Sequence, residues 1–574
     1  MTFDDKRTRL NVIEFEEDMI KVVNVEDLDE ELIEEAIDDV NGESLDPEKV
    51  AASRAEEVEF MQTRGIWEVV DLNMCWEILG KAPTSVKWVD TKKRSRLVGR
   101  DFKPKGEQER ADIFASMPPW EAKKLLFSKA ASQDGLSRRR KLLFVDATKA
   151  HVNGVCDVDA FIELPPEAYE EGKCAKLKHW LYGMRPAARA WEDLYAERLV
   201  AVGYEQGKSA PTVFANVEKN IEGVVHGDDF TFLGFEEDLV DLASKMASWF
   251  EIKVRGIVGP EAKDMNTITI LNRTLEWFSW GIRITADPKH AEKIMNHFGL
   301  EADSKSVVSP GLKTANEDKE ADDDEEDEDD LKLEGAEVTV FRGLAATMNY
   351  MSLDRFDTQF AGKELCREMS KPTQSSMVRM KRAARYLVGC PVVQVEYKNQ
   401  KPQTRMSIYA DSDWAGCRKT RKSTSGGVAC HGAHCVRTWA STQATVATSS
   451  GEAEFYALIE AASRGLGLQA LVKDLGQEIG VDLYCDASAG RSMAFRKGLG
   501  KVRHMDTKFL WIQDLVKTGR IKVLKIKGTQ NPADVGTKHL TIKEMEEKLS
   551  SVGMNLLKRQ IKEGVLGSER GCLE

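Results

Sequence analysis

The sequence predicts an α+β protein of several domains, and three observations carry that prediction. A chain of 574 residues is too long for one hydrophobic core and corresponds to about three to four units. β-rich runs that end in carboxylates alternate with segments of helical apolar spacing. Two strongly acidic stretches interrupt the pattern. Residues 1–60 hold 21 acidic and 6 basic residues, and residues 317–330 hold 12 acidic and 1 basic, so with a chain total of −13 the remaining body carries +13. A body of that sign suits a surface that tracks phosphates.

Residues 1–60 alternate acids with Leu, Ile and Val; Asp27 to Asp39 can form an amphipathic acidic helix, and a solvated or disordered tail is the plainer reading. β-rich segments with interspersed basic residues follow at Gly65 to Val70, Val86 to Asp90 and Arg94 to Val98. Lys141 to Asp146 reads as a short buried strand ending in a carboxylate. Leu181 to Trp191 is basic and aromatic and leads into a helix. Val224 to Leu233 then sets two apolar β-prone runs around Gly227-Asp228-Asp229, the pattern of a hairpin that lifts adjacent carboxylates out of a sheet. Two side-by-side acids repel each other unless a cation neutralises them, and hard oxygen ligands suit Mg²⁺ or Mn²⁺ rather than Zn²⁺. Asp146 adds a third acid if the strands are sheet neighbours, and three acids can hold two metals.

Residues 236–311 read as helix (Glu236 to Trp249), strands (Ile268 to Arg273, Arg283-Ile284) and helix (Pro288 to Phe298). The acidic run Glu317 to Asp330 is expected as a solvated linker. Residues 337–390 carry helical apolar spacing through Phe341, Leu344, Met348, Met351, Met380, Ala383, Ala384 and Leu387.

A second set of acids lies beyond residue 400. Met406 to Asp411 is an alternating strand, two more strands surround Gly426 to Thr438, and Ser449-Ser450-Gly451-Glu452 is a capping box that starts a helix. That gives Glu452 a structural task and leaves Glu454 as the better metal ligand. Val481 to Asp486 supplies another strand with a terminal acid, and Asn531-Pro532-Ala533-Asp534 places a fourth at a late helix start. Asp413 shares the face of Asp411 by strand alternation. The group Cys430, His431, His434 and Cys435 falls on a predicted hairpin without further paired ligands and reads as structure rather than zinc.

Ten cysteines without Cys-x-x-Cys pairs indicate neither a disulfide framework nor a zinc knuckle and lead us to expect a reducing intracellular compartment. No apolar run approaches membrane-spanning length, and the N-terminus lacks a basic-then-apolar signal, so neither a membrane nor secretion is expected.

The ordered set of Asp146, Leu181-Tyr182-Gly183, Arg189-Ala190-Trp191 and Asp228-Asp229 resembles the polymerase region of copia-type long-terminal-repeat retrotransposon Pol polyproteins. The resemblance extends over residues 64–540 through Asp411 to Gly416, Arg421 to Gly426, Ser441-Thr442-Gln443 and Asn531 to Asp534. It implies a right-hand polymerase of palm, fingers and thumb joined to a ribonuclease H-like mixed sheet with helices. The boundaries expected are an acidic segment 1–60, a reverse transcriptase 61–313, an acidic linker 314–335, a helical connection 336–400, a ribonuclease H-like domain 401–540 and a C-terminal helix and tail 541–574.

By that resemblance Asp146, Asp228 and Asp229 hold the polymerase metals, and Arg94 and Arg96 on a finger hairpin bind the nucleotide triphosphate. Guanidinium forks stay charged and suit phosphate. His151 stands where the family mostly has an aromatic residue that rejects the ribose 2′-hydroxyl. Asp411, Glu454, Asp486 and Asp534 match the ribonuclease H metal site, and the choice of Asp411 over Asp413 rests on that match. The implied activities are RNA-directed DNA polymerase (nucleotidyl transfer) and ribonuclease H (endonucleolytic), using Mg²⁺ or Mn²⁺. The implied partners are an RNA template, a DNA primer, RNA–DNA hybrid and dNTPs, in a cytoplasmic particle or the nucleus. Three departures from the family pattern, the short fingertip, His151 and Pro186, motivate the rival expectation of a degenerate remnant that only binds nucleic acid. An integrase zinc pattern and an aspartic-protease triplet are both missing, so a fragment of a full element, or a gene derived from one, is expected.

Overall fold

The computed structural model describes residues 37–39, 42–103, 113–311, 330–417, 419–500 and 502–559. The acidic helix expected from Asp27 falls outside them except for Ile37, Asp38 and Asp39, and the acidic linker expected over 314–335 falls outside them except for residues 330–335. The chain divides into two compact units, one running to Asp101 and including Val158–Met184, the other formed by Phe102–Asp157 and Arg185 onward.

In the first unit the helix Pro47–Thr63 starts on Asp46, whose side chain accepts from Glu48 N at 3.1 Å, with Pro47 at the first position where its missing N–H costs nothing. It packs on the hairpin of Val86–Thr91 with Arg94–Gly99, where Ser95 N donates to Ser53 Oγ at 2.9 Å and Arg54 pairs with Asp90. Only Lys92 and Lys93 form the turn, with Thr91 opposite Arg94. A three-stranded antiparallel sheet, in the order Trp67–Asp71, Lys173–Leu177, Phe161–Ile162, completes the unit.

The second unit begins with a six-stranded antiparallel sheet in the order Ile252–Val258, Lys141–Ala147, Asp229–Gly234, Ile221–His226, Val213–Asn216, Glu205–Gln206. Its central strand is covered on both faces, which is why Leu142-Leu143-Phe144-Val145 is apolar without alternation. Leu143, Val145 and Ala147 pack with Trp191, Tyr195 and Leu199 of helix Ala187–Ala201 and with Leu239, Leu242 and Met246 of helix Glu236–Trp249. Leu142 and Phe144 face the other way, into a core shared with Leu125, Leu126 and Phe127 of helix Trp120–Ala131.

The strands expected around residues 268–284 form Thr267–Ile270, Arg273–Phe278 and Gly281–Thr285. They continue into a five-stranded sheet with Val392–Lys398 and Met554–Leu557. The stretch expected as helical connection therefore ends in a strand. Its helices Ala336–Met351, Phe356–Arg367 and Gln374–Gly389 bury Phe341, Leu344, Met348, Met351, Met380, Ala383, Ala384 and Leu387 together with Ile294 and Met295 of helix Lys289–His297.

A last five-stranded sheet has the order His434–Thr442, Thr424–His431, Arg405–Ser412, Gly480–Cys485, Ile521–Lys525. The first three strands are antiparallel neighbours and the last two join in parallel across helical connections, of which Ser450–Asp474 is the longest. That mixed order is the ribonuclease H arrangement expected from the sequence.

Candidate active sites

Two acidic centres lie in the second unit, at strand ends of its six-stranded antiparallel sheet and of its mixed five-stranded sheet. In the six-stranded sheet Asp229 stands directly opposite Asp146 across the antiparallel ladder. Side chains opposite each other share a face, and alternation puts both acids on the face that carries Leu142 and Phe144. Asp228 occupies the turn with Gly227, whose φ of +64° is a conformation glycine takes without strain. The turn is fixed from below. Trp191, 2% exposed, donates its indole N–H to Gly227 O at 3.0 Å and stacks edge-on against Phe230 and Phe250.

Arg255 Nη1 lies 3.5 Å from Asp229 Oδ1. Lys123, on the helix that covers this face, is 1% exposed, and its ammonium has no hydrogen-bond acceptor. Burial pulls its pKa down to about 8 against the attraction of Asp229 and Asp228. His151 sits half-buried in the turn Ala150–Asn153, its pKa lowered by burial and partly restored by Asp228. Arg94 and Arg96 belong to the first unit. Both project from one face of the hairpin, Arg94 exposed and Arg96 lying 5.9 Å from the Tyr182 ring centre. Pro186 stands immediately before helix Ala187–Ala201, a position that needs no N–H donor.

The second centre gathers all four acids expected there. Asp411 ends the middle strand of its sheet and Asp486 follows Gly480–Cys485 directly. Glu454 lies on the first turns of helix Ser450–Asp474, its Oε1 accepting from Ser412 N at 3.4 Å. Asp534 sits on the one-turn helix Pro532–Gly536. Glu454, Asp486 and the Cys485 thiol bring ligand atoms within 4.8 Å of one another. Burial raises the Cys485 thiol pKa, so the thiol stays protonated and the carboxylate oxygens are the better metal donors there. Burial first, then Asp411 and Asp486, raises Glu454 to about 8. Asp411 rises to about 7 through burial and the nearby Asp534, against the pull of Lys538. Carboxylates that resist ionisation despite the nearby Lys538 are incompletely compensated, and hard oxygen donors fit Mg²⁺ or Mn²⁺.

Close approach of the Asn-Pro-Ala-Asp turn depends on Gly426, the residue opposite Asp411. A Cβ at Gly426 would lie 2.8 Å from Ala533 O and 2.7 Å from Thr537 Cγ2. Asn531, fully buried, donates to Ala410 O at 2.9 Å and accepts from Ala533 N, so the motif is tied to the Asp411 strand at its first residue.

The expected capping box is half formed. Ser449 accepts from Glu452 N at 3.3 Å, but the Glu452 carboxylate takes Thr448 N at 3.0 Å, Thr448 Oγ1 at 2.6 Å and Tyr456 OH at 2.8 Å. Glu452 is thus structural, as expected, through different donors. Asp413 accepts from Thr424 N. Cys430 pairs with Cys435 and His431 with His434 across the hairpin, so thiols and imidazoles occupy opposite faces and cannot share a zinc ion. Ser128 bridges the two imidazoles at 2.7 and 2.9 Å. Another close acid group, Glu236, Glu261 and Asp264, is closed around Lys141 Nζ at 2.7–3.0 Å, which supplies its cation.

Sequence reasoning singled out Trp191 without its bond to the Gly227 turn, and it missed Lys123, Lys538 and Lys548. Lys538 follows Asp534 by four residues, which was visible in the sequence; Lys548 is brought back by helix Ile542–Ser550 and was not.

An acid pair on an antiparallel palm-like sheet, joined in one chain to a four-acid ribonuclease H-like sheet, defines the class of reverse-transcribing polymerases. The family comparison agrees, since residues 66–305 match the reverse transcriptase (RNA-dependent DNA polymerase) family. The chain is 25% identical over 532 residues to the retrovirus-related Pol polyprotein from transposon TNT 1-94 of Nicotiana tabacum, covering 89% of this chain and 38% of that one. It is 30% identical over 186 residues to an uncharacterized mitochondrial protein of Arabidopsis thaliana, 31% of this chain and 72% of that one. A foamy viral protease-reverse transcriptase in complex with double-stranded DNA aligns over 83% of this chain and 70% of its own with a TM-score of 0.46 and 9% identity. The chain belongs to the copia-type retrotransposon Pol family, and it spans about a third of the length of the Pol polyproteins it matches. Among the described residues no helix is long and apolar enough to cross a membrane.

Proposed function

We propose that the chain is an RNA-directed DNA polymerase with ribonuclease H activity. The observation that carries the reading is the register of Asp146 opposite Asp229 beside Asp228, which puts three carboxylates at the end of one hairpin. Mg²⁺ or Mn²⁺ held by these acids supplies Lewis-acid stabilisation for in-line displacement on a dNTP. Asp146 and Asp229 present their carboxylates from paired strands, and Trp191 holds the intervening turn so that Asp228 keeps its position. Arg94 and Arg96 bind the triphosphate, and His151 contributes to sugar selection. In the second centre Asp411, Glu454, Asp486 and Asp534 would hold the divalent ions, which would supply Lewis-acid chemistry for cleaving the RNA strand of an RNA–DNA hybrid. The RNA template and DNA primer are the partners this reading requires. Among the described residues every cysteine is a free thiol, which accords with a reducing compartment such as a cytoplasmic particle or the nucleus. The division into reverse transcriptase 61–313, connection 336–400 and ribonuclease H-like domain 401–540 is part of the same proposal.

Primer extension on an RNA template with Mg²⁺, alongside an Asp228→Asn/Asp229→Asn variant, tests the polymerase. Cleavage of a labelled hybrid, alongside Asp486→Asn, tests the nuclease. Extension that disappears in the double variant is expected. Cleavage that depends on Asp486 without any extension reduces the proposal to a ribonuclease, and silence in both assays favours the nucleic-acid-binding remnant.

A further inference from the structure

The ribonuclease H-like centre contains two lysines besides its four acids, and they are held very differently. Lys548 is 8% exposed and anchored. Its ammonium donates to Asn531 O at 2.9 Å, Thr529 O at 3.3 Å and Gly528 O at 3.4 Å, and stands 2.8 Å from Asp534 Oδ2. Lys538 has no such carbonyl cage among the described contacts. Its side chain keeps 44% of its exposure, while its ammonium lies 2.7 Å from Asp534 Oδ1 and 3.6 Å from Asp411 Oδ2. The Asp534 contact is an ion pair off the hydrogen-bonding direction, since Asp534 Oδ1 is buried without a hydrogen-bond donor, and the Asp411 contact is too long for a hydrogen bond. Asp411 Oδ2 is steadied separately by the Thr537 hydroxyl. An ammonium between two buried carboxylates, half in solvent and without a directional bond, stands where charge compensation is needed and can leave at small cost.

We propose that Lys538 is a resident counter-ion of the Asp411–Asp534 pair, which a divalent cation displaces when it binds there, whereas Lys548 is a fixed positioning residue for Asp534. The proposal rests on the reading of these acids as a metal site. It assigns to Lys538 a competition with the metal. Without an ion the ammonium holds the two carboxylates together; with an ion present, its positive charge opposes binding until the side chain swings outward. Because the four-carbon stem is already half exposed, that swing leaves the backbone of Pro532–Gly536 in place.

The test is a Mn²⁺ titration of the purified chain without nucleic acid, followed by calorimetry at pH 9 so that the carboxylates are ionised. Lys538, Lys538→Met and Lys538→Arg proteins are compared, each carrying Asp228→Asn/Asp229→Asn so that the heat reports the ribonuclease H-like centre. Lys538→Met is expected to bind about tenfold more tightly, the effect of removing one like charge at close range in a partly screened site. Lys538→Arg, which retains the charge, is expected to stay near the Lys538 protein. Equal or weaker affinity in Lys538→Met overturns the proposal while leaving the metal site standing. Absence of binding in all three proteins removes the metal site, and the proposal with it. A second readout needs no variant. Amine acetylation of wild type, followed by mass spectrometry, should label Lys538 several-fold faster when Mn²⁺ is added and leave Lys548 unchanged, and a Lys538 rate indifferent to Mn²⁺ also overturns the displacement.

Discussion

Single residues carry the strongest electrostatic tension in this molecule, and Lys123 is the clearest case. A lysine that is 1% exposed without an acceptor has its charged form disfavoured, and its pKa is pulled to about 8 by burial. Unfolded, it titrates near 10.4, so between those values the unfolded chain binds more protons and stability rises with pH. Below pH 8 the full cost of about 3 kcal/mol applies. Lys123→Met should therefore raise the urea midpoint at pH 7, and the gain should shrink markedly by pH 10; a gain of equal size at both values would refute the assignment. Glu454 works with the opposite sign. Its folded pKa near 8 lies above the unfolded value, so the folded chain holds the extra proton and stability falls as pH rises from about 4 to 8. Glu454→Gln should accordingly raise the melting temperature at pH 8.5 and leave it unchanged near pH 4. Added Mn²⁺ should stabilise wild type more than the variant, which keeps the three palm-sheet acids but loses one ligand of the second centre. A melting temperature insensitive to the substitution at pH 8.5 would contradict this. None of this was readable from the sequence, where Lys123 is one of two adjacent lysines and only the fold decides that it points inward.

At the scale of elements the sequence was most legible where a local rule fixes the outcome. Val224 to Leu233 could be read as a hairpin because β-prone runs flank a glycine able to take positive φ, and its register then places Asp229 opposite Asp146. The strand ending in Asp411, the helix starting at Ser449 and the Asn-Pro-Ala-Asp turn were legible for similar reasons of alternation and capping. What held the turn against the sheet was not. Gly426 sits in the run Ser425-Gly426-Gly427, and nothing local says that Ala533 O lies 2.8 Å from where its Cβ would be. Gly426→Ala must push backbone rather than a flexible side chain, so Asp534 should move away from Asp411. Hybrid cleavage is expected to fall at least tenfold, with primer extension close to wild type because the palm sheet is untouched. Loss of both activities in equal measure would show that the substitution unfolds the unit instead of displacing one turn.

Over the whole molecule, the least legible contacts are those between segments far apart in sequence. The sheet that joins residues 267–285 to Val392–Lys398 and Met554–Leu557 has no local signature, and neither does the clamp at Asp474. Asp474 is the last residue of helix Ser450–Asp474, where a negative charge opposes the helix dipole. It stays there because Lys208 N, Ser209 N and Ala210 N donate to it at 3.0, 2.8 and 2.9 Å, joined by the Ser209 hydroxyl. Those donors belong to the loop that leads into strand Val213–Asn216 of the palm-like sheet. Glu454 lies twenty residues earlier on the same helix, about 30 Å away at 1.5 Å per residue. The helix is thus a strut with one end bonded to the palm-like sheet and the other bearing Glu454 of the second acidic centre. Asp474→Ala removes the acceptor of three backbone N–H groups, two of which water can then solvate, so the loss is that of ordinary charge-assisted hydrogen bonds, about 1 kcal/mol. Hydrogen exchange at residues 208–210 should accelerate, and on the proposed activities the distance between a paused primer terminus and the RNA cut should spread from a narrow set of positions to a broad one. Asp474→Glu, which keeps the carboxylate, should show a smaller spread. Slow exchange at those amides together with an unchanged cut distance in Asp474→Ala would mean that the spacing of the two centres is set by the five-stranded sheet alone.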